Sequence, residues 1–121
     1  VSGGLPGNTY RPEDKQNYTL LLAEIRKQLD ALGDGHHMLT IAAPAGPAIY
    51  VNLEIAAMAQ YLDWFNVMTY DFHGGWEPKT GFNAPLYAPA GDTTKFDQGS
   101  AIAAYLAAGV PASKLVMGVP F

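Results

Sequence analysis

The 121-residue sequence has no cysteine, no run of basic residues and no long uninterrupted apolar segment. Without cysteine the chain has neither disulfide bonds nor a thiolate nucleophile. The net charge of −4, with no basic cluster, argues against a nucleic-acid partner. Because proline, asparagine and acidic residues interrupt the apolar stretches, the sequence predicts no membrane-spanning segment.

Metal-binding and cofactor-binding patterns are also lacking. His36 and His37 are adjacent, so their rings point in different directions, and His73 lies far along the chain. The serines show no Ser/His/Asp grouping, and no glycine-rich phosphate loop opens a helix. We therefore expect neither a metal ion nor a cofactor.

The sequence does contain enough apolar material for a core. Hydrophobic residues make up 49% of the chain and aromatic residues 12%, which excludes a disordered or fibrous protein. The length suits one domain, residues 1–121. The chain opens without methionine on a glycine-rich stretch, so we expect Val1 to follow further residues of a longer protein.

The apolar pattern predicts three helices. The first covers residues 12–32, and its predicted buried face is Tyr18, Leu21, Leu22, Ile25, Leu29 and Leu32. Asn52 is predicted to cap a second helix over about residues 53–62. Asp97 is predicted to cap a third helix, which runs through Ala108 and ends at Gly109.

Three short apolar segments are predicted strands: residues 38–43, 64–70 and 115–119. All three look apolar on both faces, which is typical of a parallel sheet with helices on its outside. A loop rich in glycine, proline and asparagine is expected over residues 72–95. The order αβαβαβ therefore predicts an α/β fold built from parallel βα units.

Functional residues in such folds gather where strands end and loops begin. The stretch VMTYDFHGGWE, residues 67–77, is predicted to lie at such a position. Asp71 and Glu77 are a candidate acid and base, since cleavage of a glycosidic bond usually uses two carboxyl groups. Alternatively, Asp71 accepts hydrogen bonds from N–H groups of the loop. Both interpretations fit a carboxylate that directly follows an apolar strand.

Other side chains of this stretch also have two interpretations each. Met68 and Tyr70 alternate along the strand and point to one side, where they could line a sugar pocket or, for Met68, fill a core. Trp76, in a polar loop, could stack on a sugar ring or close over its own core. His73 suits a hydrogen bond within the loop better than the role of a general base.

The segment MTYDFHG, residues 68–74, resembles the motif that ends the sixth barrel strand in chitinases of glycoside hydrolase family 18. Three other regions resemble that family in the same order: GGLPGN followed by RPED, NAPLY at residues 83–87, and LVMGVPF at residues 115–121. The resemblance covers essentially the whole chain, from after the fourth barrel strand through the seventh.

This resemblance implies about half of a (β/α)₈ barrel, as a partial catalytic domain. It also implies hydrolysis of β-1,4 linkages between N-acetylglucosamine units of chitin. In that family the sugar's own acetamido group attacks, while a glutamic acid protonates the leaving oxygen. The Asp-x-Asp-x-Glu strand that carries this acid would precede Val1, and the 121 residues contain no such arrangement.

By resemblance, Tyr70 would hydrogen-bond the reacting acetamido group, and Asp71 would bind the sugar beside the cleaved bond. Met68 would form the pocket wall under the ring, and Trp76 would stack on a sugar on the leaving-group side. The expected partners are chitin or N-acetylglucosamine oligomers, without cofactor or metal. The resemblance also implies an extracellular, secreted protein.

Two alternatives remain open at this point. The chain could be a non-catalytic chitin-binding module or a half-barrel that associates with itself, because open sheet edges can pair with another copy. It could instead hydrolyse chitin alone, with Asp71 or Glu77 as a substitute acid. Loss of a general acid costs about 10²–10⁴-fold in rate, which disfavours this last reading.

Overall fold

The computed structural model describes residues 4–121; residues 1–3, which include the first glycine of the GGLPGN motif, lie outside the described part. Its elements are α1 (Asp14–Asp30), β1 (Thr40–Pro44), α2 (Pro47–Tyr50), α3 (Ile55–Met58), β2 (Trp64–Met68), α4 (Gln98–Ala107), a 3₁₀ turn (Ala112–Lys114) and β3 (Leu115–Met117). The predicted alternation of helices and strands is confirmed. Residues 72–95 form the predicted long loop.

The three strands form one parallel sheet in the order β1-β2-β3. In the register of the sheet, Ala43 lies opposite Val67, and Val67 lies opposite Met117. Parallel neighbours require crossover connections, which the helices between the strands supply. The carboxyl ends of all three strands therefore meet at one edge of the sheet, and the predicted α/β class is confirmed.

The two faces of this sheet differ. One face packs against the helices and carries the buried strand residues Ile41, Ala43, Phe65 and Val67. On the other face Ala42, Asn66 and Met68 are exposed. The prediction of strands buried on both faces is therefore wrong for residues 4–121, because their helices cover only one side of the sheet.

The core lies between the sheet and the helices. Phe65 of β2 is fully buried at its centre, together with Leu22 of α1, Met58 of α3 and Tyr105 of α4. The rings of Phe65 and Tyr105 meet edge to face, with their centroids 5.6 Å apart. This cluster joins α1, α3 and α4 to the middle strand.

Helix α1 differs from its prediction in length and in its buried face. It begins at Asp14 rather than at residue 12, and it ends at Asp30. Leu22 is buried, but Leu21 and Leu32 are exposed, so the predicted buried face is too wide. The helix packs on α3 at the margin of the core, where only a narrow stripe of its surface is covered.

The second predicted helix, over residues 53–62, is wrong in its bounds. Within that range only the four-residue helix α3 forms, with Glu54 at its N-cap position, and a second four-residue helix, α2, precedes Asn52. Pro47 begins α2, a position that proline favours because its missing N–H has no acceptor there. The amide of Asn52 donates to the carbonyl oxygens of Ala48 at 3.0 Å and of Ile49 at 3.3 Å.

All three strands are shorter than predicted. β1 begins at Thr40 rather than at Met38, which is exposed, and it extends through Pro44. β2 ends at Met68, two residues before the predicted end, and β3 ends at Met117. By contrast, the predicted cap of the third helix is confirmed, since the Asp97 carboxylate accepts from the Ser100 N–H at 2.8 Å.

Candidate active site

A cavity of about 290 Å³ opens at the carboxyl ends of β1 and β2. Its lining includes Gly46, Ile49, Met68, Tyr70, Asp71 and Phe96. Three of the four predicted site residues, Met68, Tyr70 and Asp71, therefore share one cavity. Trp76 lies farther along the loop that follows.

The alternation of β2 directs two of these side chains into the cavity. Met68 is partly exposed on the open face, while Val67 and Thr69 on either side of it are buried. The Thr69 hydroxyl donates to the Gly118 carbonyl oxygen at 2.7 Å, which fixes the Thr69 side chain on the side away from the cavity. Tyr70 consequently points to the same side as Met68, as the period of two predicts.

The ring of Tyr70 packs against Gly118, just after β3. A Cβ at position 118 would lie 2.6 Å from Cε1 of that ring, closer than any carbon contact allows. The Gly118 N–H also donates to the Val67 carbonyl oxygen at 2.9 Å, so the two chains approach closely at this point. Sequence reasoning missed Gly118, although a glycine at the end of an apolar strand can indicate such a close approach.

Asp71 has an unusual backbone conformation at the rim of the cavity. Its φ is 56°, in the left-handed region that side chains with a Cβ rarely adopt. The Asn83 amide donates to Asp71 Oδ1 at 2.9 Å, and the Asn83 carbonyl oxygen accepts from the Phe72 N–H at 2.9 Å. Sequence reasoning missed Asn83 as a partner, because it lies twelve positions after Asp71 in a loop of no regular structure.

The structure does not bring Asp71 and Glu77 together as an acid and base. Glu77 Oε2 instead lies 2.8 Å from Nδ1 of His73, and the His73 ring packs against Phe96 with centroids 5.6 Å apart. Glu77 lines a separate hollow together with Gly74, Gly75 and residues 78–81. His73 is thus a hydrogen-bonding residue of the loop, as the sequence indicates.

Trp76 lies on the surface of this loop with 65% of its area exposed. Its indole covers Gly74, where a Cβ would lie 2.3 Å from the ring atoms Cζ3 and Cη2. The indole therefore does not close over the core. One face of the ring is supported by the backbone of the loop, which leaves a flat apolar surface accessible to a ligand.

The remaining histidines pair with single carboxylates. His36 Nε2 lies 2.5 Å from Asp63 Oδ1, and His37 Nε2 lies 2.5 Å from Asp34 Oδ1. Within residues 4–121, no three His, Asp or Glu side chains converge as metal ligands. In the same range, no helix has the length and apolar character needed to cross a membrane.

Sequence comparisons show relatives over the full chain. The profile of the glycosyl hydrolases family 18 matches residues 4–121. Chitinase A1 of Niallia circulans is 52% identical across all of the chain, and Endochitinase 1 of Metarhizium robertsii is 43% identical across 92% of it. The chain spans only 19% and 28% of the lengths of these two relatives.

Solved structures agree with these relatives. Chitinase ChiA74 from Bacillus thuringiensis, at 46% identity, superposes on 99% of this chain with a TM-score of 0.93, and 20% of ChiA74 is matched. A second solved structure is catalytic domain 2 of Ostrinia furnacalis Group II chitinase, a mutant in complex with (NAG)5. It is 34% identical to this chain, with a TM-score of 0.84, and the match covers 92% of this chain and 29% of that one. The unclosed three-stranded sheet matches part of these TIM-barrel chitinases. The chain therefore belongs to the glycosyl hydrolases family 18.

Proposed function

We propose that the protein containing this chain is a chitinase, which hydrolyses β-1,4 linkages between N-acetylglucosamine units, and that this chain forms one wall of its substrate cleft. The observation that carries the proposal is that Met68, Tyr70 and Asp71 line one cavity where parallel strands end. The chitinases named above support the substrate class.

Tyr70 and Asp71 are the proposed catalytic residues of this wall. The Tyr70 hydroxyl donates to the acetamido group of the sugar and orients its carbonyl oxygen towards the anomeric carbon. Attack by that oxygen displaces the leaving oxygen and forms an oxazolinium-like intermediate. Water then opens this intermediate from the opposite face of the sugar, so the configuration is retained overall. The carboxylate of Asp71 accepts a hydrogen bond from the same sugar. The glutamic acid that protonates the leaving oxygen comes from another segment, since no Asp-x-Asp-x-Glu occurs in these 121 residues.

Met68 and Trp76 are the proposed sugar-binding residues. Met68 is 37% exposed on the open face of the sheet, where its flexible thioether can pack under a pyranose ring. The Trp76 indole presents a flat surface that suits the apolar face of a sugar on the leaving-group side. Chitin oligomers are therefore the proposed partners of this wall.

We place the protein outside the cell. Chitin is an insoluble polymer, so an enzyme that cleaves it needs to reach it there. ChiW from Paenibacillus sp., described as cell-surface-expressed, is 46% identical over 91% of this chain with a TM-score of 0.82, and 10% of ChiW is matched. That relative supports the proposed location.

A chimera tests the proposed function. Residues 1–121 replace the aligned segment of Chitinase A1, and hydrolysis of a fluorogenic chitobioside is measured. The chimera should be active, and Tyr70→Phe should lower kcat by about 10²-fold, as for other lost donors to a reacting group. Tyr87→Phe is the matched control, because Tyr87 is exposed and lies outside the cavity. A folded but inactive chimera, or equal rates for both variants, would contradict the proposal.

A second candidate function is a half-barrel that associates with itself and binds chitin without cleaving it. The open sheet face and the two edge strands, β1 and β3, favour this alternative. Light scattering of the 121-residue chain should then show a dimer or larger species. A monomer at high concentration would remove this candidate.

A further inference from the structure

We infer that Asn83 is a positioning residue, which holds the Asp71 carboxylate at the rim of the cavity and acts on substrate through it. This inference rests on the proposed function, because Asp71 meets a sugar only if the cavity binds chitin. Asn83 itself does not line the cavity. Its role depends on three contacts with the segment that leaves β2.

Asp71 needs an external restraint. Among residues 4–121, Asp71 and Lys95 are the non-glycine residues with positive φ. Aspartate tolerates this region better than most residues with a Cβ, but it still has more favourable conformations, so contacts from another segment help to keep Asp71 there. A change of φ would move the carboxylate away from the rim, because φ at this residue sets the direction of its side chain.

Asn83 supplies that restraint through both its side chain and its backbone. Its Nδ2 donates to Asp71 Oδ1 at 2.9 Å and to the carbonyl oxygen of His73 at 3.3 Å. Its own carbonyl oxygen accepts from the Phe72 N–H at 2.9 Å. One residue thus contacts three consecutive residues around the left-handed turn, and the amide is the group that reaches the carboxylate.

The segment that carries Asn83 is itself fixed to a helix. The N–H groups of Gln98 and Gly99 open α4 and donate to the carbonyl oxygens of Pro85 and Leu86, each at 3.0 Å. The first N–H groups of a helix have no acceptor within it, so these loop carbonyls satisfy them. The segment that carries Asn83 is therefore anchored to α4, so Asn83 does not depend on Asp71 for its position.

Titration of the 121-residue chain with tetra-N-acetylchitotetraose tests this role. Asn83→Ala keeps the backbone bond to Phe72 but removes both bonds from the amide. We expect it to weaken binding by about tenfold, the effect of losing a hydrogen bond to a charged group. Asn83→Asp should weaken binding further, since it places a second carboxylate against Asp71. Asn17→Ala, on the exposed side of α1, is the control and should bind as the wild type does.

A double-mutant cycle separates positioning from general support of the loop. In an Asp71→Ala background, Asn83→Ala should cause no further loss of affinity, because the carboxylate it holds is gone. The exchanged pair Asp71→Asn with Asn83→Asp restores an amide–carboxylate hydrogen bond. It should recover the conformation of residue 71 but not the affinity, since the charge then lies on residue 83.

The conformation of residue 71 is measured separately, from its three-bond HN–Hα coupling together with the intraresidue HN–Hα NOE, which is strong at positive φ. We expect Asn83→Ala to weaken this NOE and the exchanged pair to restore it. An unchanged NOE and coupling in Asn83→Ala overturn the positioning role whatever the binding result. An equal loss of affinity in the wild-type and Asp71→Ala backgrounds also overturns it. A wild-type chain that binds no chitotetraose contradicts the proposed function instead.

Discussion

The Tyr105 hydroxyl donates to the Pro44 carbonyl oxygen at 2.8 Å, and this bond joins α4 to the last residue of β1. Tyr105 is fully buried, and its ring meets Tyr50 and Phe65 edge to face. Pro44 also lines the cavity. A single buried hydrogen bond therefore connects the wall of the candidate site to the helical layer behind it.

Removal of that hydroxyl should destabilise the fold. Tyr105→Phe keeps the ring contacts but leaves the Pro44 carbonyl oxygen without this donor. We expect the free energy of unfolding in urea to fall by about 1–3 kcal/mol, the cost of an unsatisfied buried polar group. Tyr87→Phe, at an exposed position, should change it by less than about 0.5 kcal/mol. Equal stabilities for the two variants would contradict this interpretation.

The same residue should make stability depend on alkaline pH. Burial raises the pKa of the Tyr105 phenol above its ordinary value of 10.0. The unfolded chain therefore releases this proton near pH 10, while the folded chain keeps it, so stability falls as pH rises above that point. Tyr105→Phe lacks this contribution and should lose stability less steeply over the same range.

Asp63 should make the folded protein lose stability as the pH falls through the acid range. Partial burial raises the pKa of its carboxyl, but hydrogen bonds from the Leu39 N–H and His36, with the charge of Arg26, outweigh burial. The pKa of Asp63 therefore lies below its ordinary value of 3.8. A lowered pKa contributes stability above the unfolded value, and this contribution is lost as pH falls through the folded value.

Asp63→Asn tests that linkage in urea at two pH values. At neutral pH we expect a loss of about 1–3 kcal/mol, because the charged acceptor of the Leu39 N–H is removed. Below pH 3 the difference from wild type should shrink, since Asp63 is then increasingly protonated in both states. Glu13→Gln, exposed at the start of α1, is the control. A difference that stays constant with pH would refute the linkage.

Two neighbouring glycines, Gly74 and Gly75, provide a matched test of the proposed stacking of Trp76 on a sugar. A Cβ at Gly74 would lie 2.3 Å from the indole, whereas a Cβ at Gly75 would meet nothing within 4 Å. Gly74→Ala should displace the indole and weaken chitotetraose binding as much as Trp76→Ala does. The expected loss is about fivefold, equivalent to about 1 kcal/mol of stacking. Gly75→Ala should bind normally, and equal effects of the two glycine variants would count against stacking by Trp76.

Local patterns predicted the features that depend on neighbours in sequence. The Asp97 cap needs only the Ser100 N–H three residues away, and it forms as predicted. The alternation of β2 likewise places Met68 and Tyr70 on one side from the period of two alone. These features are decided within a few residues, which is the range that a sequence pattern can describe.

Features that depend on distant packing were not predictable in this way. An apolar run cannot show where a short helix will begin and end, which is why the predicted bounds after Asn52 are wrong. It also cannot show that helices cover one face of a strand and leave the other exposed. The bond from Asn83 to Asp71 crosses a loop of no regular structure, and its existence depends on where α4 fixes that loop.

The alternation of β2 makes the length of this strand as important as its composition. Deletion of one residue between Phe65 and Met68 would turn Met68 and the Tyr70 ring towards the helical layer and bring Thr69 to the cavity in the place of Met68. A substitution, by contrast, leaves every other side chain on its own side. We expect this segment to tolerate replacement at single positions far better than any change in the number of residues.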